Sequence, residues 1–328
     1  MSGPEPGSML ANRYEVVRKL GAGGLGEVFE CLDIAKNRRV AVKRLHQSGE
    51  ELGYSSDTTV NEARTLASLR HPNILKIYDL AWDQGKIIIV MELVEGKTLS
   101  SIVKERPLTL SEFIALATQI LEGVGAAHRR GLLHLDIKPA NIMLEPIANS
   151  PFKVKLLDFG LAQIRNQAPI RTNDGSIMGS IYFIAPEQLH AEPLSERTDI
   201  YAVGHVFYNA LCGRVAFPYR NFEDVIQAQL HKDPKHLAEL CPDVSVDLCN
   251  WIHWFLEKDT DSRPRSTQDA LRELTKIITT FEVHKVEYNL PSNVMPQAEE
   301  LETPKKGLDS VKSFIKDRFK TLSNDRSV

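Results

Sequence analysis

The chain has 328 residues, 42% of them apolar and 25% charged, with 19 glycines besides. That balance fits a globular protein with length for two lobes of roughly 150 residues, and it excludes a disordered, collagenous or low-complexity chain. A formal charge of -3, from 40 basic and 43 acidic residues, argues against a protein built to coat nucleic acid.

The first residues, Met1-Ser-Gly-Pro-Glu-Pro-Gly, carry neither a basic start nor an apolar run. No signal peptide is expected, and residues 1–13 read as a flexible lead-in. Tyr14–Leu20, Val28–Leu32 and Val40–Leu45 have strand character, with a turn near Lys36-Asn37. Asp57–Leu69 turns helical, with Ala63, Leu66 and Leu69 on one face. Ile74–Leu80 and Lys86–Leu93 return to strand. After Gly96 the pattern becomes mainly helical, with long apolar-periodic stretches at Phe113–Ala127, Asp199–Leu211, Val244–Leu256 and Thr267–Ile278. The predicted class is α+β, a small β-rich lobe with one main helix followed by a larger α-helical lobe. The expected boundaries are 14–94 and 95–280.

Residues 281–328 read as a linker punctuated by Pro291, Pro296 and Pro304, then an amphipathic helix with Leu308, Val311, Ile315, Phe319 and Leu322 on one face. That tail helix docks on its own domain, on a partner or on a membrane surface; the pattern leaves the three open. The longest strongly apolar run, Ile87–Met91, is too short to span a bilayer. Cysteines at 31, 212, 241 and 249 lack zinc-ligand spacing and are expected to be free buried thiols. A reducing, cytoplasmic setting is the corresponding expectation.

Gly21-Ala-Gly23-Gly-Leu-Gly26 fits a glycine-rich phosphate motif, which alone is weak. The next residues, Glu27-Val-Phe-Glu-Cys-Leu32, alternate like a strand rather than opening a helix. The motif therefore caps a hairpin, which favours a lid that lowers backbone N–H groups onto phosphates over a dinucleotide-binding turn. Val40-Ala-Val-Lys43 ends an apolar strand in a lysine, and Glu62 on the first predicted helix is placed to reach back to it. Glu62 also fits a capping box with Thr59. Further on, His134-Leu-Asp136-Ile-Lys138-Pro-Ala-Asn141 packs an acid, a cation and an amide into one short loop, and Asp158-Phe-Gly160 comes after the strand Val154–Leu157.

In this order and spacing the motifs resemble the eukaryotic-type serine/threonine protein kinase family over about residues 14–280. The resemblance implies the bilobal kinase fold and an ATP- and Mg²⁺-dependent transfer of γ-phosphate to Ser/Thr hydroxyls of protein substrates, autophosphorylation included, with Mn²⁺ as an alternative metal. It implies that Gly21, Gly23 and Gly26 cover the ATP phosphates and that Lys43, held by Glu62, binds the α and β phosphates. Asp136 would be the catalytic acid/base and Lys138 would neutralise the transferring phosphate. Asn141 and Asp158 would hold the metal, oxygen donors suited to a hard cation. Val28 and Ala41 would roof the adenine and Met143 floor it, with Met91 as gatekeeper and Glu92-Leu93-Val94 as hinge. Structural roles are implied for the Glu187–Arg263 ion pair, for Asp199 beneath the catalytic loop, and for Leu66, Phe159 and His134 stacked between the lobes.

Lys138-Pro-Ala-Asn141, with Gly179-Ser180, matches the Ser/Thr branch, and Ser180 is expected to bond Asp136 and Lys138. Leu135 departs from the pattern, because the family often has an arginine there that receives an activation-loop phosphate. Phosphorylation at Thr172 or Ser176 is therefore not expected to be the principal switch. The alternatives are a pseudokinase or nucleotide-binding scaffold on the same fold, and a small-molecule kinase. The presence of Lys43, Asp136, Asn141 and Asp158 together argues against the first, and Ala185-Pro-Glu187 with Arg263 against the second.

Overall fold

A computed structural model describes residues 3–23, 26–48, 69–148, 150–159 and 180–287. The expected helix at 57–69, including Glu62 and Leu66, lies almost wholly outside these residues, as do Gly160, Thr172, Ser176 and the tail helix.

The first lobe is an antiparallel sheet of β1 (Met9–Leu10), β2 (Tyr14–Gly23), β3 (Gly26–Asp33), β4 (Arg38–Ser48), β5 (Ile77–Asp83) and β6 (Lys86–Met91), in the order β1-β2-β3-β4-β6-β5. The expected lead-in is more ordered than its Gly/Pro content suggested. Gly7 N–H bonds Val16 O, Val16 N–H bonds Ser8 O, and Leu10 is 2% exposed. β5 begins at Ile77 rather than Ile74, because the preceding residues pair with the other lobe: Leu75 N–H donates to Leu156 O and Leu156 N–H to Asn73 O. One face of the sheet buries Val16, Phe29, Cys31, Val40, Val42, Ile88 and Val90.

A second, three-stranded sheet of β7 (Lys97–Thr98), β8 (Ile142–Ile147) and β9 (Ser150–Leu156) belongs to the larger lobe. Its helices are α1 (Leu99–Glu105), α2 (Leu110–His128), α3 (Pro186–Leu189), α4 (Glu196–Cys212), α5 (Phe222–His231), α6 (Leu237–Leu240), α7 (Val246–Phe255) and α8 (Thr267–Glu287). α2 opens on a capping box in which Thr109 accepts Glu112 N–H and Glu112 accepts Thr109 N–H. Arg106 and the Thr109 contacts hold the Glu112 carboxyl down to about 2. α4 stops at Gly213, whose φ of 73° closes the helix in the left-handed region. α8 continues to Glu287, past the boundary expected at 281, since no glycine or proline interrupts the chain before Pro291.

The core joins Phe113, Leu116 and Ile120 of α2 to Val203, Val206 and Phe207 of α4 and to Trp251 and Phe255 of α7. Close approach is obligatory at Gly204, where a Cβ would lie 2.5 Å from that of Phe255. Among the described residues α2 is the one helix long and apolar enough to cross a membrane, but 61% of its apolar window is buried inside the protein, as a core helix requires. All four cysteines are free, Cys31 and Cys249 buried and the other two partly so.

Two histidines, His205 buried and His253 half-buried, are held as neutral rings. Burial, with the charges of Lys258 and Arg263, pushes His205 down to about 3. Burial and the stacked His236 ring, 4.4 Å away, push His253 to about 4. His253 Nε2 accepts Leu237 N–H at 3.1 Å, a bond that only the neutral ring takes. Both folded values lie below the unfolded one, so the unfolded chain binds more protons below about pH 6.5. The histidine contribution is complete above that pH and is lost as pH falls through it. Stability should decline between about pH 6.5 and 5 by up to about 1.4 kcal/mol per pH unit for each ring. In denaturant titrations across that window, His205→Leu should show a shallower slope than the parent.

Candidate active site

The pleat gathers one set of side chains on one face of the first sheet. Val28 pairs directly with Lys43, Ala41 lies two residues before Lys43, and Met91 pairs directly with Ala41. Residues opposite one another, or two apart along a strand, share a face, so Val28, Ala41, Lys43 and Met91 line the same side. The glycine motif occupies the end of β2 and the start of β3, with Gly21 opposite Val28 and Gly23 opposite Gly26. It caps a hairpin, as expected. Gly26 is fixed by space: a Cβ there would lie 2.2 Å from Arg44 O on the neighbouring strand.

Met143, the expected adenine floor, sits on β8 opposite Thr98 and Lys155. The connection between lobes is braced from behind. The Glu92 carboxylate receives Lys155 Nζ at 2.5 Å and Lys76 N–H at 2.9 Å, and Glu92 N–H donates to Lys76 O. The Glu92 side chain and its N–H are thus both spent on structure. Lys155, a buried lysine two residues after Lys153 in the strand, was the sequence signal for this brace and was missed. Asn73 was missed too. Its amide donates to Gln119 Oε1 at 2.8 Å and to Val154 O at 3.0 Å, tying the first lobe to α2 and β9.

Lys43 is 6% exposed, and its Nζ lies 2.6 Å from Asp158 Oδ2. Its expected partner Glu62 lies outside the described residues. The Asp158 backbone is left-handed, with φ 55°, a conformation that costs an aspartate about 1–2 kcal/mol and persists only where surroundings impose it. Behind it, Phe159 packs on the His134 ring at 4.5 Å. His134 Nε2–H donates to Leu157 O at 2.9 Å, which fixes its tautomer and leaves Nδ1 to accept Asp136 N–H at 3.4 Å.

The 134–141 loop is suspended from Asp199 on α4. That carboxylate accepts His134 N–H, Leu135 N–H and His128 Nε2–H, each at 2.8 Å. The two backbone bonds secure Leu135 at φ 62°. From there Asp136 faces three donors. Lys138 Nζ is 2.9 Å from both of its oxygens, Asn141 Nδ2 is 3.0 Å from Oδ2, and Ser180 Oγ is 3.3 Å from Oδ1. Lys138 also donates to Ser180 Oγ at 2.6 Å, which realises the bridge expected of Ser180. Asn141 Nδ2 further donates to Asp136 O at 2.8 Å. The asparagine therefore spends its NH₂ on Asp136 and keeps its amide oxygen for another partner.

At the start of α3, Arg263 and Glu187 form a buried bidentate pair at 2.7 and 2.9 Å. Burial raises the Glu187 carboxyl, but the hydrogen bonds and charge of Arg263 outweigh it and hold the group below the usual carboxylate range. Among the assigned residues, Val28, Ala41, Lys43 and Met91 share one sheet face, Lys43 meets Asp158, and Asp136, Lys138, Asn141 and Ser180 form one hydrogen-bonded cluster.

Residues 14–274 match the family model described as protein kinase domain. The chain is 34% identical over 278 residues to a probable serine/threonine-protein kinase of Clostridium acetobutylicum, covering 84% of this chain and 41% of that protein. It is 31% identical over 304 residues to serine/threonine-protein kinase PrkC of Bacillus subtilis, covering 83% of this chain and 45% of that one. With serine/threonine-protein kinase PknA of Mycobacterium tuberculosis it shares 34% over 274 residues, 80% of this chain and 61% of that one. The chain thus spans from two fifths to three fifths of these three relatives. Among solved structures, the kinase domain of M. tuberculosis PknI superposes with a TM-score of 0.63 at 24% identity, over 84% of this chain and 99% of that one.

Proposed function

This chain belongs to the protein kinase family, and on that premise we propose that it transfers the γ-phosphate of ATP to serine and threonine hydroxyls of protein substrates, itself included. The observation that carries the reading is the Asp136–Lys138–Ser180–Asn141 cluster, opposite a buried Lys43 paired with Asp158.

Phosphoryl transfer needs in-line positioning and charge neutralisation more than covalent help. The acceptor hydroxyl oxygen bonds to the γ-phosphorus, the bond to the β-phosphate oxygen breaks, and ADP leaves. Asp136, held in place by Asn141 and by its own loop, orients the hydroxyl and takes its proton. Lys138, held against that carboxylate and Ser180, supplies a charge that offsets the one developing on the transferring phosphate. Lys43, nearly buried, is a strong anchor for nucleotide phosphates because water screens it little. The residues present fit a divalent cation: the Asp158 carboxylate and the Asn141 amide oxygen are hard oxygen donors, and a metal that completes its shell from substrate phosphates needs few protein ligands. We assign it as Mg²⁺, with Mn²⁺ the alternative, and when bound it supplies charge neutralisation on the β and γ phosphates.

Lys138 and Ser180 support the Ser/Thr branch. Leu135 carries no charge with which to receive a phosphate, and its backbone carbonyl accepts Gln188 Nε2 at 3.3 Å. This supports a kinase in which activation-segment phosphorylation is not the principal switch. The four free cysteines fit a reducing compartment.

Incubation with labelled ATP, Mg²⁺ and a basic protein substrate should give phosphoserine or phosphothreonine. Asp136→Asn should lower the rate by at least about 10²-fold, the usual scale of general-base loss, with nucleotide affinity retained. Absence of transfer by the parent chain would leave a nucleotide-binding scaffold as the reading. Phosphotyrosine as the main product would refute the branch.

A further inference from the structure

The turn that delivers Ser180 to the Asp136–Lys138 cluster is gripped by a buried polar chain. Ser180 leads into a tight 3-10 turn, Ile181–Phe183, packed against α4 and α5. Gln229 on α5 is fully buried, and both ends of its amide are engaged: Nε2 donates to Ile181 O at 3.3 Å, and Oε1 accepts the Tyr201 hydroxyl at 2.7 Å. Tyr201 on α4 is equally buried, and its oxygen in turn accepts Lys258 Nζ at 3.0 Å. Lys258 also reaches Ala228 O at 3.4 Å and lies 4.6 Å from the Phe217 ring centroid. Ile181 O is shared, since Ile184 N–H donates to it at 3.5 Å.

A fully buried glutamine is costly to desolvate and to order, and it is tolerated where each of its polar atoms finds a partner. Here those partners lie on two separate pieces of chain, the 181–183 turn and α4, and Lys258 joins the chain through Tyr201. Charge enters at one end, from a lysine, and a backbone carbonyl of the active-site turn stands at the other. A hydrogen bond donated by a charged group polarises the hydroxyl that receives it and strengthens the next bond along. The relay touches neither Lys43 nor the hinge.

We propose that Lys258, Tyr201 and Gln229 are positioning residues that hold the Ser180–Ile184 turn against Asp136 and Lys138, and so set affinity for the phosphoacceptor peptide without affecting ATP. The kinetic half of this inference rests on the kinase reading above; the structural half does not.

Two measurements on the full chain separate them. Tyr201→Phe removes one hydroxyl and keeps the ring, Gln229→Met keeps the length and removes both bonds, and Lys258→Met removes the charge. In hydrogen exchange, amides of 180–184, Ile184 above all, should exchange about fivefold faster or more in each variant, while helix α2 is unchanged. In steady-state kinetics with a serine-containing basic peptide, peptide KM should rise about fivefold with ATP KM within about twofold of the parent. The Tyr201→Phe/Gln229→Met double variant should be no worse than Gln229→Met alone, as links in series require. Unchanged exchange at 180–184 would overturn the relay, whatever the activity. Peptide and ATP KM rising together in step with a lower Tm would overturn its positioning role. A parent chain that transfers no phosphate would refute the kinase reading and leave the exchange result to decide the relay.

Discussion

Lys43→Met should lower kcat/KM for phosphoryl transfer by about 10³-fold or more while the protein melts within a few degrees of the parent. Methionine matches the lysine in length and adds no strain to β4, so packing of the strand against Ile89 and Val28 survives. What disappears is the nearly buried cation that pairs with Asp158 at 2.6 Å. Asp158 retains enough exposure, 25% of its side chain, to remain solvated when its partner is gone, which is why the loss appears in rate rather than stability. Steady-state assays with a thermal melt on the same sample decide the matter. Transfer within tenfold of the parent would mean that Lys43 does not serve the phosphates.

Arg263→Ala is expected to destabilise the larger lobe by roughly 3–5 kcal/mol, the range for stripping one partner from a buried ion pair. The guanidinium has no exposed side-chain surface, and all five of its N–H groups are used. Two go to Glu187, and the others go to Glu257 O at 2.8 Å, Arg197 O at 3.0 Å and Lys258 O at 3.1 Å. Its plane also lies over the Tyr201 ring at 4.6 Å. Alanine leaves a carboxylate that is 3% exposed, and three carbonyls, without their donors. Lysine restores charge but not the fork, with three donors where five are needed, so Arg263→Lys should recover only part of the loss. Urea titration should show the midpoint falling with little change in slope. An Arg263→Ala midpoint close to the parent's would mean that the pair is structurally dispensable.

The chemistry of the cleft was legible because its groups sit close together along the chain. Asp136, Lys138 and Asn141 fall within six residues, and their mutual bonds are local. The hairpin at the glycine motif was equally legible, since alternation after Gly26 reports strand directly. What sequence periodicity missed were pairings between distant segments. Lys155 meets Glu92, and Gln119 meets Asn73, only once two lobes have been assembled. Polar residues in apolar stretches flag such contacts without naming the partner. The start of β5 was misjudged for a related reason: Ile74 and Leu75 look like strand and do pair, but with β9 of the other lobe. The order in the lead-in depends on β2 as a template, which local composition does not record.

α4 gives the cleft a common mechanical origin. Every residue from Thr198 to Leu211 is buried, and within its first turns this helix supplies Asp199 to the 134–135 backbone, Tyr201 to Gln229, which holds the Ile181 carbonyl, and the Arg197 carbonyl to Arg263. At 1.5 Å of rise per residue, three attachment points are set by one rigid rod. A helix so enclosed opens only when the whole lobe does, and its amides should be among the last to exchange with solvent. The catalytic constellation then has no partly assembled intermediate of its own. Raising denaturant should extinguish catalysis and α4 protection at one concentration, and the working lifetime of the site at high temperature becomes the unfolding half-life of the lobe that carries it.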